Sequence, residues 1–302
     1  MASSHNQPDG QTQPLGGRPR FRERLGRGWR EANACWDLIA RDPYLLILPS
    51  LSLVFVLATW IGLILIASTL TGHFYLGVLL AGIVSAYPSS FAGAFLGVAF
   101  IAVADGRLQG QHTRVREGLA AARRKAGPIA RWALIASGVG LVLQLLQHVK
   151  ADWAVSAAFA WLAGAAWGVL TFFVVPVLAF EDKGARASLR RSGQIVRDRW
   201  GEGIGGVTNI GALGAVGGLA VGLVGVILIG LGYAVGTATG VAALVFVAAL
   251  FVAMLVVLAT AGRLLALGLY RFATGGPQVG FDQEVLQEAG VPKRFRRRRH
   301  AA

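Results

Sequence analysis

The hexapeptide Gly201-Glu202-Gly203-Ile204-Gly205-Gly206 has the G-x-G-x-x-G spacing that cradles a dinucleotide pyrophosphate. That chemistry requires a strand before the turn and a helix after it. Here the hexapeptide follows a basic stretch and opens a long apolar run, so the match carries no dinucleotide site. Other reactive groups are no better placed. The five histidines (His5, His73, His112, His148 and His300) are scattered, without metal-ligand spacing. No nucleophile elbow, P-loop or zinc-protease helix occurs. The single cysteine, Cys35, allows no intramolecular disulfide and reads as a small buried or interfacial residue. The expectation is a protein that is not an enzyme, with no catalytic residue, no cofactor and no metal.

The elements that would have to position any such chemistry are apolar helices. The chain is 55% hydrophobic and 15% charged, against roughly 25% charged for a soluble domain. Six segments lack internal charge almost entirely and reach the about 20 residues that a membrane crossing needs. They run over about 44–68, 74–103, 129–148, 153–180, 205–233 and 241–269. With no water in the hydrocarbon to satisfy the backbone, they must be helices. Pro88 and Pro176 lie inside two of them and predict a kink or a break.

The loops fix the orientation, because Lys and Arg concentrate on the cytoplasmic side. Arg18 to Arg41 precede the first segment, Arg107 to Arg131 join the second to the third, and Lys183 to Arg199 join the fourth to the fifth. Arg263, Arg271 and the tail from Lys293 to Arg299 end the series. Of all 29 basic residues, only Lys150 falls on the other side. The predicted fold class is all-α: a polytopic membrane helical bundle of six transmembrane helices in three hairpins. Its basic amphipathic connector helices lie in the cytoplasm, as do both termini. Residues 1–17 read as a disordered tail, 18–43 as a basic interfacial segment, 44–273 as the membrane domain and 274–302 as a polybasic tail. No cleavable signal peptide is predicted, since the first apolar run starts only near Tyr44 and is too long. Abundant Arg, Ala, Gly and Val suggest a bacterial source and hence its plasma membrane.

Three basic stretches have helical patterning: Phe21 to Arg41, Thr113 to Lys125 before Gly127-Pro128, and Ala185 to Trp200. Leu189, Ile195 or Val196, and Trp200 share one side of the last, ringed by arginines, as suits a helix lying in the membrane interface. The repeating unit of basic helix, span and tight hairpin occurs three times, a weak internal repeat. The expected contacts to anionic lipid are Arg190, Arg191, Arg197, Arg199 and Trp200, then Arg114, Arg123 and Arg124, and in the tail Arg296, Arg297, Arg298 and Arg299. The net charge of +14 fits this surface better than nucleic acid, because the basic tail adjoins a membrane and has no fold.

Inside the spans the sequence offers little to build a mechanism on. All acidic residues fall at span ends, in loops or in the tails, and Arg263 sits near enough to an end to snorkel outward. Gln144, Thr171 and Asn209 are the notable polar residues and are read as interhelical hydrogen-bond formers. Glycines spaced by four (Gly93 and Gly97, Gly164 and Gly168, Gly214 to Gly222, Gly232 to Gly240) allow close helix approach.

Several groups of residues together resemble a family of uncharacterised six-span membrane proteins of actinobacterial type, a domain of unknown function. They are Trp29, Trp36 and Arg41-Asp42-Pro43; Ala104-Asp105-Gly106-Arg107; Trp132; Pro176 with Phe180-Glu181-Asp182; Ala187 to Ser192 with Trp200-Gly201; and Gly280-Phe281-Asp282. The resemblance spans about Arg27 to Lys293. The basic helix ending in Trp-Gly is also similar, more distantly, to the membrane domain that accompanies some glycerophosphodiester phosphodiesterases. Their catalytic barrel is absent, so no activity is implied. The functional expectation is a non-catalytic membrane protein acting through lipid or protein contacts at its cytoplasmic face. Its partners would be the anionic inner leaflet, a second copy or another membrane protein. The alternative is a transporter or permease subunit working with a separate ATPase.

Overall fold

The computed structural model describes residues 36–146, 153–200 and 205–276, without the side chains of 153–158, 199–200, 205–217 and 220. The expected disordered tail, most of the basic interfacial segment, Lys150 and the polybasic tail lie outside the described residues. Among the described residues the chain is all-helical, with no strand.

Asp42 begins the first long helix. Its carboxylate accepts the N–H of Tyr44 at 3.3 Å, and Pro43 supplies the fixed φ of a first turn. The 3₁₀ turn Pro43–Leu46 leads into α1 (Ile47–Thr71). Gly72 then takes the left-handed conformation, with φ of 66°, and α2 (Phe74–Leu108) folds back. A short α3 (Val115–Arg124) connects to α4 (Ala126–Leu146). After it come α5 (Trp153–Thr171), α6 (Val174–Phe180) and a second connector, α7 (Ala185–Trp200). The last pair is α8 (Gly205–Val235) and α9 (Thr237–Thr274), turned back at Gly236.

The two prolines behave differently. Pro88 sits within an unbroken α2. Pro176 splits the fourth predicted segment into α5 and α6, with a break at Phe172-Phe173. Ser192 of α7 stitches the break: its hydroxyl donates to the Leu170 carbonyl at 2.6 Å and accepts the Phe173 N–H at 3.1 Å. The groups freed near the proline are thus bonded inside the protein, as a membrane interior demands.

Five stretches are long and apolar enough to cross a membrane: Pro43–Thr71, Phe74–Leu108, Ala126–Leu146, Phe159–Phe180 and Thr237–Thr274. This is the architecture of a multi-pass membrane helical bundle. The described part of α8 adds a shorter apolar stretch, Val221–Val235.

The shared core lies at one end of the bundle, which we call the connector end. There α2 packs against α1, α3, α4, α6 and α9. Phe100, Ile101, Ile129, Val174, Val177, Leu264, Leu265 and Leu267 are buried in a single cluster. Trp132 stacks on Trp167 at 5.9 Å and Phe180 on Tyr270 at 5.5 Å. Toward the hairpin end the pairs separate. Leu223, Val226, Leu231, Val241, Val245 and Phe246 on α8 and α9 are exposed. Such surface suits lipid, against which burial in protein gains little hydrophobic energy. Of the fourfold-spaced glycines, Gly232 makes a close approach, since a Cβ there would stand 2.9 Å from the Thr239 carbonyl oxygen, whereas Gly164, Gly168 and Gly222 face open space.

Three sequence expectations are corrected here. The apolar side of α7 does not lie on lipid: Ile195 is buried and Leu189 and Val196 pack against the bundle core. Arg263 does not snorkel out of the bundle: its Nη1 is buried and lacks a hydrogen-bond partner among the described residues. Thr171 bonds back to the Trp167 carbonyl of its own helix at 2.8 Å.

Candidate functional site

The connector end is built on a few acids in a basic environment. Asp42 pairs with Arg107, whose guanidinium also lies over the Tyr44 ring at 4.0 Å. Arg107 Nε donates to the Thr113 carbonyl at 3.1 Å, and the Tyr44 hydroxyl accepts the Val115 N–H at 3.1 Å. These bonds tie the start of α1 to the end of α2 and the start of α3. Asp105 accepts Arg271 through both carboxylate oxygens, with Nε at 2.9 Å, while the guanidinium stacks over Phe180 at 4.5 Å. Such a fork is stronger than a single-point ion pair.

Glu181, just past α6, is the third anchor. It pairs with Lys183 and receives Tyr270 Oη at 3.0 Å and Arg191 Nε at 3.3 Å. Burial pushes this carboxyl up, but the bonds from Lys183, Tyr270 and Arg191 outweigh it and hold it below the ordinary glutamate value. Asp182 is fully exposed and held low by Lys125, which also reaches the Glu181 carbonyl at 3.5 Å.

A depressed carboxyl stabilises the fold above its unfolded pKa, and that contribution disappears as pH falls through the folded value. The thermal midpoint of the wild-type protein in detergent is therefore expected to fall on acidification below about pH 4.5, the ordinary glutamate value. Glu181→Gln starts lower at neutral pH and falls less over the same window. A constant difference between the two curves from pH 7 to pH 3 counts against this assignment.

Among the described residues, Asp42, Asp105, Glu181 and Asp182 are engaged, and the exposed arginines of the connectors take no part in these pairs. On α3, Val115, Gly118, Leu119 and Ala122 face the bundle, while Arg116, Arg123 and Arg124 are exposed. Arg114 is exposed just before the helix, where its N–H lies 3.4 Å from Glu117 Oε2. On α7, Ala185, Ser188, Ser192 and Ile195 are buried, while Arg186, Arg190 and Arg197 line the opposite side. Among the described residues Arg197 has only its exposed neighbour Asp198, at 3.9 Å. Each connector is thus clamped by its small or apolar side and presents a row of guanidinium groups outward.

The predicted lipid contacts divide accordingly. Arg114, Arg123, Arg124, Arg190 and Arg197 are exposed and have no acid partner nearer than that neighbour among the described residues. Arg191 does not belong with them, because it is half-buried and bound to Glu181. The side chains of Arg199 and Trp200, and all of Arg296 to Arg299, lie outside the described residues. Sequence reasoning missed Arg116 and Arg186 as members of these rows. It also treated Arg107, Lys125 and Arg271 as orientation charges alone. The available signal was the scarcity of acids at this end: Asp42, Asp105, Glu181 and Asp182 each stand at the end of a predicted apolar segment, within reach of such a partner. No group of three or more His, Cys, Asp or Glu residues able to hold a metal occurs among the described residues.

A model for a family of unknown function, DUF6159, matches residues 74–281, which includes both connector helices. The chain belongs to this family. The matched DUF6159 region starts at α2 and so excludes Asp42 and α1. It lies within the expected span of Arg27 to Lys293 but is shorter at both ends. No curated protein and no solved structure matches the chain.

Proposed function

We propose that this protein is a six-span, non-catalytic protein of a bacterial plasma membrane that binds anionic lipid headgroups through α3 and α7. In this reading α8 is the further span, the connector end and both termini face the cytoplasm, and the arginine rows lie level with inner-leaflet phosphates. The observation that carries it is the division of charge at the connector end. Among the described residues, Asp42, Asp105, Glu181 and Asp182 are engaged in ion pairs at the helix ends, and the exposed arginines of α3 and α7 point outward from helices packed on the bundle. Each guanidinium near an anionic surface contributes about 1 kcal/mol, and a row of three up to about a hundredfold in affinity.

The test is native mass spectrometry of protein released from nanodiscs of mixed phosphatidylglycerol and phosphatidylcholine. The triple variant R186Q/R190Q/R197Q is expected to retain less phosphatidylglycerol than a variant with Arg296 to Arg299 neutralised. The ordered row pays less conformational entropy on binding than a tail does. Equal losses, or no loss in the triple variant, remove the support for α7 as the binding face.

A second reading is a transporter subunit whose ATPase is a separate chain. It is favoured by the placement of two protein-packed connector helices at one end, where a soluble partner would dock. Co-purification of an ATPase that is lost on substitution of Arg116 or Arg190 would favour it over lipid binding.

A further inference from the structure

The five membrane-crossing stretches contain five charged residues: Asp105, Arg107, Arg131, Arg263 and Arg271. Four of them are turned to the protein. Asp105 binds Arg271, Arg107 binds Asp42, and Arg263 has its Nη1 buried in the bundle. Arg131 is different. It lies on α4, is exposed, and forms no ion pair among the described residues. A charge on the lipid-facing side of a span is costly unless its head reaches water or a counter-charge.

The rotation of α4 sets what surrounds this arginine. Ile129, Trp132 and Ala133 are buried against the bundle. Leu134, Val142 and Leu145 are each more than half exposed, and Gly138 among them is exposed as well. At 3.6 residues per turn, Leu134, Gly138, Val142 and Leu145 all project within about 60° of Arg131. One stripe of α4 therefore faces away from the bundle, with a guanidinium at its connector end and apolar surface below it. A Cβ at Gly138 would meet nothing within 4 Å, so the stripe is notched between Leu134 and Val142. The dimensions match one leaflet. At 1.5 Å per residue, Arg131 to Val142 covers about 16 Å, and half of a hydrocarbon core of about 30 Å is about 15 Å. Arg131 starts about 7 Å inside the first residue of α4, and its long stem carries the guanidinium back toward the connector end. That end of α4 is fixed in place, because the preceding Lys125 pairs with Asp182 and reaches the Glu181 carbonyl at 3.5 Å.

We propose that the outer stripe of α4 seats one anionic glycerophospholipid, its phosphate on the Arg131 guanidinium and an acyl chain along Leu134, Gly138 and Val142. The fork of guanidinium donors fits a phosphodiester, and the cation selects a lipid with net negative charge over a zwitterionic one. The uncharged stripe gives that lipid a chain contact that a free phosphate cannot use. The site requires only that the chain crosses a bilayer, and it does not depend on α3 and α7 binding the membrane surface.

The experiment titrates the full-length protein in a neutral detergent with phosphatidylglycerol, phosphatidylcholine or diacylglycerol, and counts bound lipid by native mass spectrometry. Wild-type protein is expected to bind phosphatidylglycerol more tightly than either of the others. Arg131→Gln is expected to weaken one equivalent of phosphatidylglycerol about fivefold and to leave phosphatidylcholine nearly unchanged. Arg131→Lys, which keeps the charge without the fork, falls between the two. Gly138→Phe fills the notch and is expected to weaken the same equivalent severalfold with the arginine intact. Both positions face outward, so the thermal midpoint without lipid should stay at the wild-type value. The surface triple R186Q/R190Q/R197Q separates this site from the connectors: adding Arg131→Gln to it is expected to remove the same equivalent as from wild type. Phosphatidylglycerol with a photoreactive acyl chain, added below saturation, should label the stretch from Leu134 to Leu145 in wild type and much less in Arg131→Gln. Phosphatidylglycerol binding and labelling that are the same in Arg131→Gln as in wild type overturn the proposal, as does an unchanged affinity in Gly138→Phe. Either result leaves the surface reading of α3 and α7 standing, and a triple variant that loses no lipid leaves the α4 site standing.

Discussion

Asp105→Ala is expected to lower the thermal midpoint in detergent by roughly 5–10 °C, from a loss of about 3 kcal/mol. The reason is the charge it strands. Asp105 and Arg271 side chains retain only 18% and 24% of their exposure, and they join α2 to α9 through a two-pronged bond. Truncating the acid leaves the guanidinium stacked over the Phe180 ring without its carboxylate. A ring face replaces only a small part of a carboxylate. The double variant Asp105→Ala with Arg271→Leu is expected to recover much of the loss, because it removes the stranded charge as well. The two substitutions should therefore be far from additive when the midpoint is followed by tryptophan fluorescence. A double variant as unstable as the sum of its parts would show that the pair is not the latch between these helices.

Gly118→Leu is expected to lift α3 off α2. A Cβ at Gly118 would stand 2.5 Å from both the Ala99 carbonyl oxygen and Val103 Cγ2. Backbone cannot yield as a flexible side-chain end does, so the whole helix must move. Overpacking of this kind costs about 1–3 kcal/mol even where neighbours can adjust. The consequence is larger for function than for stability, because α3 is what holds Arg116, Arg123 and Arg124 in a fixed row. Ala122 is fully buried on the same side of α3 and serves as the reporter. In a Cys35→Ser background, cysteine placed at Ala122 is expected to react with maleimide roughly tenfold faster or more when Gly118→Leu is added. Ala120→Leu, on the exposed side, is the matched control and should change nothing. Slow labelling in the Gly118→Leu protein would mean that α3 tolerates the larger side chain without moving.

The helices themselves were legible because a membrane leaves the backbone no choice. Long uncharged runs must be helical, and their ends are marked by charge. Thus the 74–103 segment became Phe74–Leu108, and 205–233 became Gly205–Val235. Pro176 warned of a break, but nothing in the local sequence showed that Ser192 would bridge it from another helix. The apolar side of α7 was read correctly as a side and wrongly in its partner. Periodicity shows that Leu189, Ile195 and Val196 share a face, but the same face suits lipid or protein. Ser192, among those residues, was the clue, since a hydroxyl seeks partners a lipid cannot offer and this one bonds Leu170 and Phe173. The ion pairs were invisible for a different reason. Counting charges per loop sets orientation, whereas pairing depends on which helix ends meet in three dimensions. Arg191 was grouped with its exposed neighbours for that reason, and only the fold brings it to Glu181.

The Asp105–Arg271 pair also has a consequence for how the protein is made. Its members are 166 residues apart in sequence. At the usual 5–20 residues per second of synthesis, the ribosome needs on the order of ten to thirty seconds to deliver the second after the first. Throughout that interval α1 and α2 have emerged, with Asp105 lacking its counter-charge. The early hairpin must therefore wait as a separate unit until the final helix arrives and locks the connector end. Nascent chains cut short before Arg271 would contain nearly every apolar helix and still lack the bond that closes the assembly. Such products are the species that quality-control proteases should clear first.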